Sequence, residues 1–254
     1  MKKVIARIIS NDEVAEGFFK MKVASGYLGR TARPGQFVEL RCSGASEPLL
    51  RRPLGVHRIA PGGIDILYRV VGRGTAILSA KAGGESADII GPLGNGFDIG
   101  RSGPAVLVAG GIGVAPLVAL AQRLKRAHVI IGGRTSSHIL CGKEFRSLGC
   151  SVEVATEDGS MGHKGLATEL LEDYLRAPLM DGRVTVFACG PNPMLKTVAA
   201  IARSRRIRCQ VSLEERMACG AGVCLGCPVK VKPDGAYKMV CKDGPVFEAS
   251  EVAW

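Results

Sequence analysis

The chain has 254 residues, 34 Lys and Arg against 23 Asp and Glu for a net charge of +11, and 46% hydrophobic residues. That is chain enough for two domains and apolar content enough for buried cores, which excludes a disordered protein and a disulfide-stapled miniature. The basic residues are scattered and aromatics make up only 5%; a stacking surface for nucleic acid is therefore not expected, and no apolar run reaches the length of a membrane span.

Residues 1–100 alternate short apolar runs with Gly/Pro turns. Val4–Ile9, Phe18–Val23, Phe37–Arg41, Val56–Ile59, Ile64–Val71 and Ala87–Ile90 read as closely spaced strands, the pattern of a small antiparallel β-barrel. The stretch Met1–Ser10 reads as a strand, not as the basic region and apolar core of an export signal, so a cytoplasmic protein is expected. A short helix is expected over Thr75–Lys81, capped by Gly74 or Thr75. The run Gly91-Pro92-Leu93-Gly94-Asn95-Gly96-Phe97 closes the region as a tight connector.

Residues 101–211 change rhythm. Strands at Ala105–Ala109, Val129–Ile131, Val152–Ala155 and Val184–Ala188 alternate with helices at Val114–Arg126, Leu166–Leu175 and Pro193–Arg203, which implies βαβ units and an α/β parallel sheet. Residues 212–254 are rich in Gly and Cys and then carry brief strands near Val229–Val231 and Tyr237–Val240. Such a segment can hardly bury a core of its own, and a metal centre is its expected organiser.

The sharpest chemical signal lies there. Cys219, Cys224 and Cys227 stand as C-x4-C-x2-C, and Cys241 follows after thirteen residues. This is the plant-type spacing for a [2Fe–2S] cluster, with three thiolates from one loop and the fourth from a separate strand. Small residues between them let backbone N–H groups approach the sulfurs. A structural four-cysteine zinc site is the rival, but it usually uses two short paired knuckles.

Other motifs point to anionic cofactors. Gly110, Gly111 and Gly113 follow a strand and open a helix, where a phosphate is favoured, although glycines there also serve plain turns. Cys189, Gly190, Pro191 and Met194 lie at the carboxyl edge of the sheet, where open α/β folds bind ligands. Arg51 and Arg52, before Pro53, Leu54 and Gly55, suit an anion such as a pyrophosphate, or else form a solvated edge. Tyr68, Arg69 and Val70, then Gly72, Gly74 and Thr75, form a second glycine loop before a helix, with Thr75 as an ordinary cap in the plainer reading. His57, His128, His138 and His163 show no ligand spacing and read as surface or satisfied structural residues. No Ser/His/Asp arrangement suggests hydrolysis.

Together the Arg-Pro strand motif, the Gly-Gly-Ile-Gly-Val-Ala-Pro loop and the Cys-Gly-Pro-x-x-Met segment resemble the ferredoxin–NADP reductase superfamily. Ser212–Gly220 with Val240–Phe247 resemble the electron-transfer subunits of class 1B dihydroorotate dehydrogenases, and the resemblance covers essentially the whole chain. It implies FAD on a barrel of residues 1–100, NAD on residues 101–211 and a [2Fe–2S] cluster on residues 212–254. It implies that Arg52 to Gly55, Tyr68 to Val70, Gly72, Gly74 and Thr75 hold FAD. Gly110, Gly111, Gly113, Cys189, Gly190, Pro191 and Met194 would hold the nicotinamide side, with Cys189 near the nicotinamide. Gly55 stands where the family often has Ser or Thr. The resemblance further implies a catalytic partner carrying FMN, a heterotetramer of two plus two chains, and electron flow from dihydroorotate to NAD+ in pyrimidine biosynthesis. A homologous subunit serving a cytosolic hydrogenase or a ferredoxin-linked transhydrogenase is the alternative, and a zinc-binding redox sensor a remote one. Arg134 leaves NAD against NADP open.

Overall fold

A computed structural model of the protein describes residues 1–100, 103–124, 126–176 and 184–254. The 101 start of the second expected region and Lys125 of the expected Val114–Arg126 helix lie outside the described residues.

Six strands, β1 (Lys2–Ala15), β2 (Phe18–Ala24), β3 (Phe37–Leu40), β4 (Arg52–Ala60), β5 (Gly63–Arg69) and β6 (Ser86–Leu93), close an antiparallel barrel in the order β1-β2-β5-β4-β3-β6. The alternation of apolar residues decides which side chains fill it. Ile8, Met21, Val23, Val38, Leu40, Ile64 and Ile66 point inward and are essentially fully buried. On the opposite face of β3, Phe37 and Glu39 leave the barrel core and turn toward the rest of the protein. Two short helices attach to the barrel, α1 (Gly26–Thr31) and α2 (Arg73–Ser79). Ser25 caps α1 by accepting a hydrogen bond from Leu28 N, a helix that the sequence reading missed. The second begins two residues before the expected Thr75 start. Gly72 is its cap residue, and Thr75, one turn inside, accepts from Val71 N and Gly72 N at 2.9 and 3.2 Å.

The second half is a seven-stranded sheet of order β10-β9-β8-β7-β11-β12-β15. Its strands are β7 (Ala105–Gly110), β8 (His128–Gly133), β9 (Ser151–Thr156), β10 (His163–Lys164), β11 (Thr185–Cys189), β12 (Arg208–Ser212) and β15 (Val246–Glu248). Helices α3 (Val114–Leu124), α4 (Gly142–Ser147), α5 (Ala167–Arg176) and α6 (Asn192–Ser204) cover it. β7, β8 and β11 are buried along nearly their whole length, as strands with helices on both faces must be.

The last strand, β15, comes from the cysteine segment and pairs antiparallel with β12 at the sheet edge. A separate hairpin, β13 (Pro228–Lys230) with β14 (Tyr237–Met239), completes that segment. The segment therefore does not stand apart. Cys227, Val240, Cys241, Phe247, Ala249 and Val252 share one core with Val106, Val186 and Leu195 of the sheet and helices, and with Phe37 and Leu93 of the barrel. The glycine-rich connector is clamped from the same side, since Asn95 N donates to Gly244 O and Asn95 Nδ2 to Asp243 O.

Candidate functional site

The four cysteines of the spacing motif converge, and they do so as two pairs. Cys219 and Cys224 are exposed, while Cys227 and Cys241 are buried. Cys224 N donates to Cys219 Sγ at 3.4 Å and Cys241 N to Cys227 Sγ at 3.4 Å; Gly222 N reaches across to Cys241 Sγ at 3.1 Å. Among the described residues, the only three His, Cys, Asp or Glu ligand atoms within 4.8 Å of one another lie elsewhere, so the four sulfurs do not close on a single point. Two pairs of thiols under a canopy of N–H donors fit a two-iron cluster, in which each iron takes two sulfurs, better than one tetrahedral zinc ion.

The electrostatics divide the pairs. The N–H groups of Ala221 and Cys224 pull the Cys219 thiol down to about 6, toward the thiolate that a metal requires. Burial, followed by the neighbouring Cys227 thiol, pushes Cys241 up to about 12. The loop can bend this tightly because Gly220 sits at φ 63°; a Cβ there would also come within 2.8 Å of the Glu39 side chain.

Glu39 was not legible in the sequence. It is 2% exposed, and neither carboxylate oxygen has a hydrogen-bond partner. Burial pushes its carboxyl up to about 7 against the opposing pull of Arg51, with Cys219 adding to the rise. It lies beneath the cysteine loop, on the same face of β3 as Phe37.

A cleft of about 310 Å³ runs between the barrel, the nucleotide domain and the cysteine segment. Arg52, Pro53, Leu54, Gly55, Tyr68, Arg69 and Thr75 line its barrel wall, Ala115 and Pro116 stand opposite, and Glu214, Glu215, Met217 and Pro245 close the third side. Arg52 Nη1 donates to Leu50 O at 2.6 Å and to Arg51 O at 3.2 Å, and its other N–H groups have no protein partner among the described residues. They face Gly74, where a Cβ would come within 2.5 Å of the guanidinium. The guanidinium packs on Gly74, where only a glycine leaves it room, and its free N–H groups suit an anionic group. Tyr68 donates from its hydroxyl to Asn11 Oδ1 at 3.0 Å and stacks on Phe19. Val70, Gly72 and Gly74 of the expected set do not line the cleft itself. Thr75 lines it, but its hydroxyl is engaged by the start of α2.

A second cleft, of about 570 Å³, opens at the carboxyl edge of β7, β8 and β11. Gly110, Gly111, Gly113, Gly190, Pro191 and Met194 line it, as do Arg134 and Glu157. Cys189 departs from this group. It lines the first cleft, is 1% exposed, and its thiol is pushed far up by burial. It forms part of the wall between the two spaces because its carbonyl packs against Gly113. The two clefts meet at Arg69, Ile112 and Glu214, which border both. Surrounding protein raises the carboxyl of Glu214 although it still opens to the solvent of the clefts.

His57 is a satisfied structural residue, in keeping with its sequence reading, with Ala115 O and Glu144 Oε2 within hydrogen-bond distance of its two ring nitrogens. It is fully buried and stands within ligand distance of Cys141 and Glu144 at the junction of barrel and sheet.

Residues 214–253 match the family model of the iron–sulfur cluster binding domain of dihydroorotate dehydrogenase B, and residues 107–200 that of the oxidoreductase NAD-binding domain. The dihydroorotate dehydrogenase B (NAD(+)) electron transfer subunit of Desulforamulus reducens is 40% identical over 266 residues, spanning 100% of both chains. That of Caldanaerobacter subterraneus subsp. tengcongensis is 41% identical over 255 residues, 98% of each. Among solved structures, a chain of an NADH-dependent reduced ferredoxin-NADP oxidoreductase superposes with TM-score 0.86 at 34% identity, covering 99% of this chain and 90% of that one. A ferredoxin NADP+ reductase from Neisseria gonorrhoeae shares the fold at TM-score 0.67 and 15% identity, over 81% of this chain and 92% of that one. With identity at this level over the whole chain and the iron–sulfur segment matched, the chain belongs to the family of dihydroorotate dehydrogenase B electron transfer subunits.

Proposed function

We propose that the protein relays electrons from the FMN of a dihydroorotate dehydrogenase catalytic chain, through a [2Fe–2S] cluster and FAD, to NAD+ in pyrimidine biosynthesis. On this reading residues 1–100 hold FAD, 101–211 hold NAD and 212–254 hold the cluster. The observation that carries it is the order of the spaces. The Arg52 cleft has the cysteine segment as one wall and opens at Arg69, Ile112 and Glu214 into the glycine-lined cleft of the sheet. A flavin in the first cleft lies between the other two centres.

When bound, the cluster carries electrons singly and the flavin exchanges them in pairs with nicotinamide. The chain's own residues position and tune. Arg52, packed on Gly74, would hold the pyrophosphate of the flavin cofactor. The N–H groups of Ala221, Gly222, Cys224 and Cys241 hold the sulfurs of Cys219, Cys227 and Cys241 and stabilise their charge. Gly110, Gly111 and Gly113 let a dinucleotide approach the backbone at the start of α3. Arg134 and Glu157 both line this cleft, and the relatives named for NAD(+) favour NAD over NADP.

Val223 and Leu225 project from the cysteine loop, 80% and 64% exposed, next to the exposed pair Cys219 and Cys224. This apolar tip suits a partner chain that brings its own flavin close to the cluster, in a complex of two plus two chains working in the cytoplasm. No helix among the described residues is long and apolar enough to cross a membrane. A subunit serving a different partner, as in the oxidoreductase at 34% identity, is the second reading; relatives at 40% identity over the whole chain favour dihydroorotate.

The test is an anaerobic absorbance spectrum with iron, zinc and flavin assayed on the same sample, followed by NADH formation from dihydroorotate in the presence of a catalytic chain. About two irons per flavin and dihydroorotate-dependent NADH formation support the reading. Zinc without flavin overturns it, and a loaded protein inert with the catalytic chain would leave only the second reading.

A further inference from the structure

Glu144, on α4, meets two barrel residues at the junction of the barrel and the nucleotide domain. Its Oε1 accepts from Lys20 Nζ of β2 at 2.6 Å, and its Oε2 lies 2.9 Å from His57 Nε2 of β4. The other ring nitrogen, Nδ1, lies 3.0 Å from the carbonyl oxygen of Ala115. A carbonyl only accepts, so Nδ1 donates to it, and Nε2, facing a carboxylate oxygen that also only accepts, donates to Glu144 in turn. Cys141 stands just before α4 at φ 62°, a left-handed conformation uncommon for a residue with a side chain. One ligand atom from each of His57, Cys141 and Glu144 falls within 4.8 Å of the other two.

We propose that His57, Cys141 and Glu144 form a binding site for a thiophilic divalent cation of the Zn2+ class, seated across the junction between the two domains. None of the three lines the flavin or nicotinamide clefts or belongs to the four-cysteine segment. An imidazole nitrogen, a thiolate and a carboxylate oxygen are the donors zinc takes, and three protein donors leave a fourth position for water. The contact from Nδ1 to a backbone carbonyl is the outer-shell bond that orients metal-binding histidines. Two ligands at zinc distances in a tetrahedron sit about 3.3 Å apart, so the His57–Glu144 separation opens by a few tenths of an ångström. The Cys141 thiol and the His57 Nε2–H both give up their protons to solvent as the cation takes their place. Entry is from the Glu144 side, whose side chain is 22% exposed while His57 is enclosed.

Lys20 limits the affinity. Its ammonium stays on Oε1 and repels a cation on Oε2, so the site is reversible and not a permanent structural centre. A cation there fastens β4 to α4, with Ala115 of α3 held through the ring of His57.

The experiment is calorimetric titration of Zn2+ into the protein loaded with FAD and iron–sulfur cluster, so that the four cluster cysteines are already engaged. Cys141→Gly suits the left-handed backbone and keeps the fold, and Glu144→Gln provides an independent loss of ligand. One equivalent taken up by the wild type with proton release, weakened about tenfold or more in both variants at unchanged flavin and iron content, is the expected result. No uptake, or uptake unchanged by Cys141→Gly, overturns the site. NADH–dye turnover without zinc stays at the wild-type rate in Cys141→Gly.

Discussion

The barrel buries Ile8, Met21, Val23, Ile64 and Ile66 among its own strands, and its sheet closes on itself. The cysteine segment does neither. Its hairpin has two strands, its remaining strand is lent to the neighbouring sheet, and Cys227, Val240, Cys241 and Phe247 are buried against residues of that sheet and of β3 and β6. A flavin module with a core of its own is thus joined to a cluster module that borrows one. Cofactor loss should follow that division, with the flavin and the cluster each lost without the other.

The strongest way to break the comparison is Phe247→Ala. Removing a buried aromatic from the borrowed core costs about 3–4 kcal/mol and should lower the unfolding midpoint and the iron content together. An unchanged midpoint in thermal unfolding would mean that the segment carries its own stability. Cys224→Ser should then separate the modules cleanly. This cysteine is exposed, so iron is lost while flavin and NADH–dye activity remain; simultaneous loss of flavin would join the two modules into one unit. Arg52→Ala acts from the other side, weakening FAD about 100-fold by removing a charge-assisted contact while iron stays, as flavin titration and iron assay would report.

Glu39→Gln probes the boundary between them. A carboxyl raised to about 7 from 4.5 takes up its proton on folding. Its contribution is complete below the unfolded value and is lost as pH rises through about 7. The glutamine variant should therefore gain about 3 kcal/mol over the wild type at pH 8 and nothing at pH 4, read by denaturant unfolding across that range. The smallest effect is expected from Gly55→Ser. A Cβ there has only Pro116 near it, at 3.9 Å, so the hydroxyl fits, and FAD binding should tighten a few-fold, about 0.5–1 kcal/mol. Weaker binding would show that the missing hydroxyl is no deficit.

The spacing of Cys219, Cys224, Cys227 and Cys241 carried the cluster because three ligands on one loop are a local pattern. The barrel strands and the βαβ rhythm were legible for the same reason, since apolar periodicity is read within a few residues. What escaped was set by contacts remote in sequence. Glu39 and Gly220 are joined only by folding, as are His57 and Glu144, and nothing near Glu39 marks it as buried. β12 and β15 are short strands defined by partners remote in sequence, β12 by β11 and β15 by β12, so neither announces itself alone. The helix α1 rests on the Ser25 cap, and α4 follows a cysteine in a conformation usually filled by glycine or asparagine. Cys189 was placed with its sequence neighbours Gly190 and Pro191, but the alternation of a strand sends its side chain to the opposite side of the wall.

The pairing of β15 with β12 has a consequence for the assembly of the protein in solution. β12 ends a sheet whose backbone N–H and C=O groups would otherwise point outward as an open edge, the surface on which strands of other molecules add and precipitation begins. The three residues Val246–Glu248 cover that edge. A chain shortened to end at Leu213 would lose more than its iron centre: it should become self-adhesive, and its yield as a monodisperse species should fall before its nucleotide binding does.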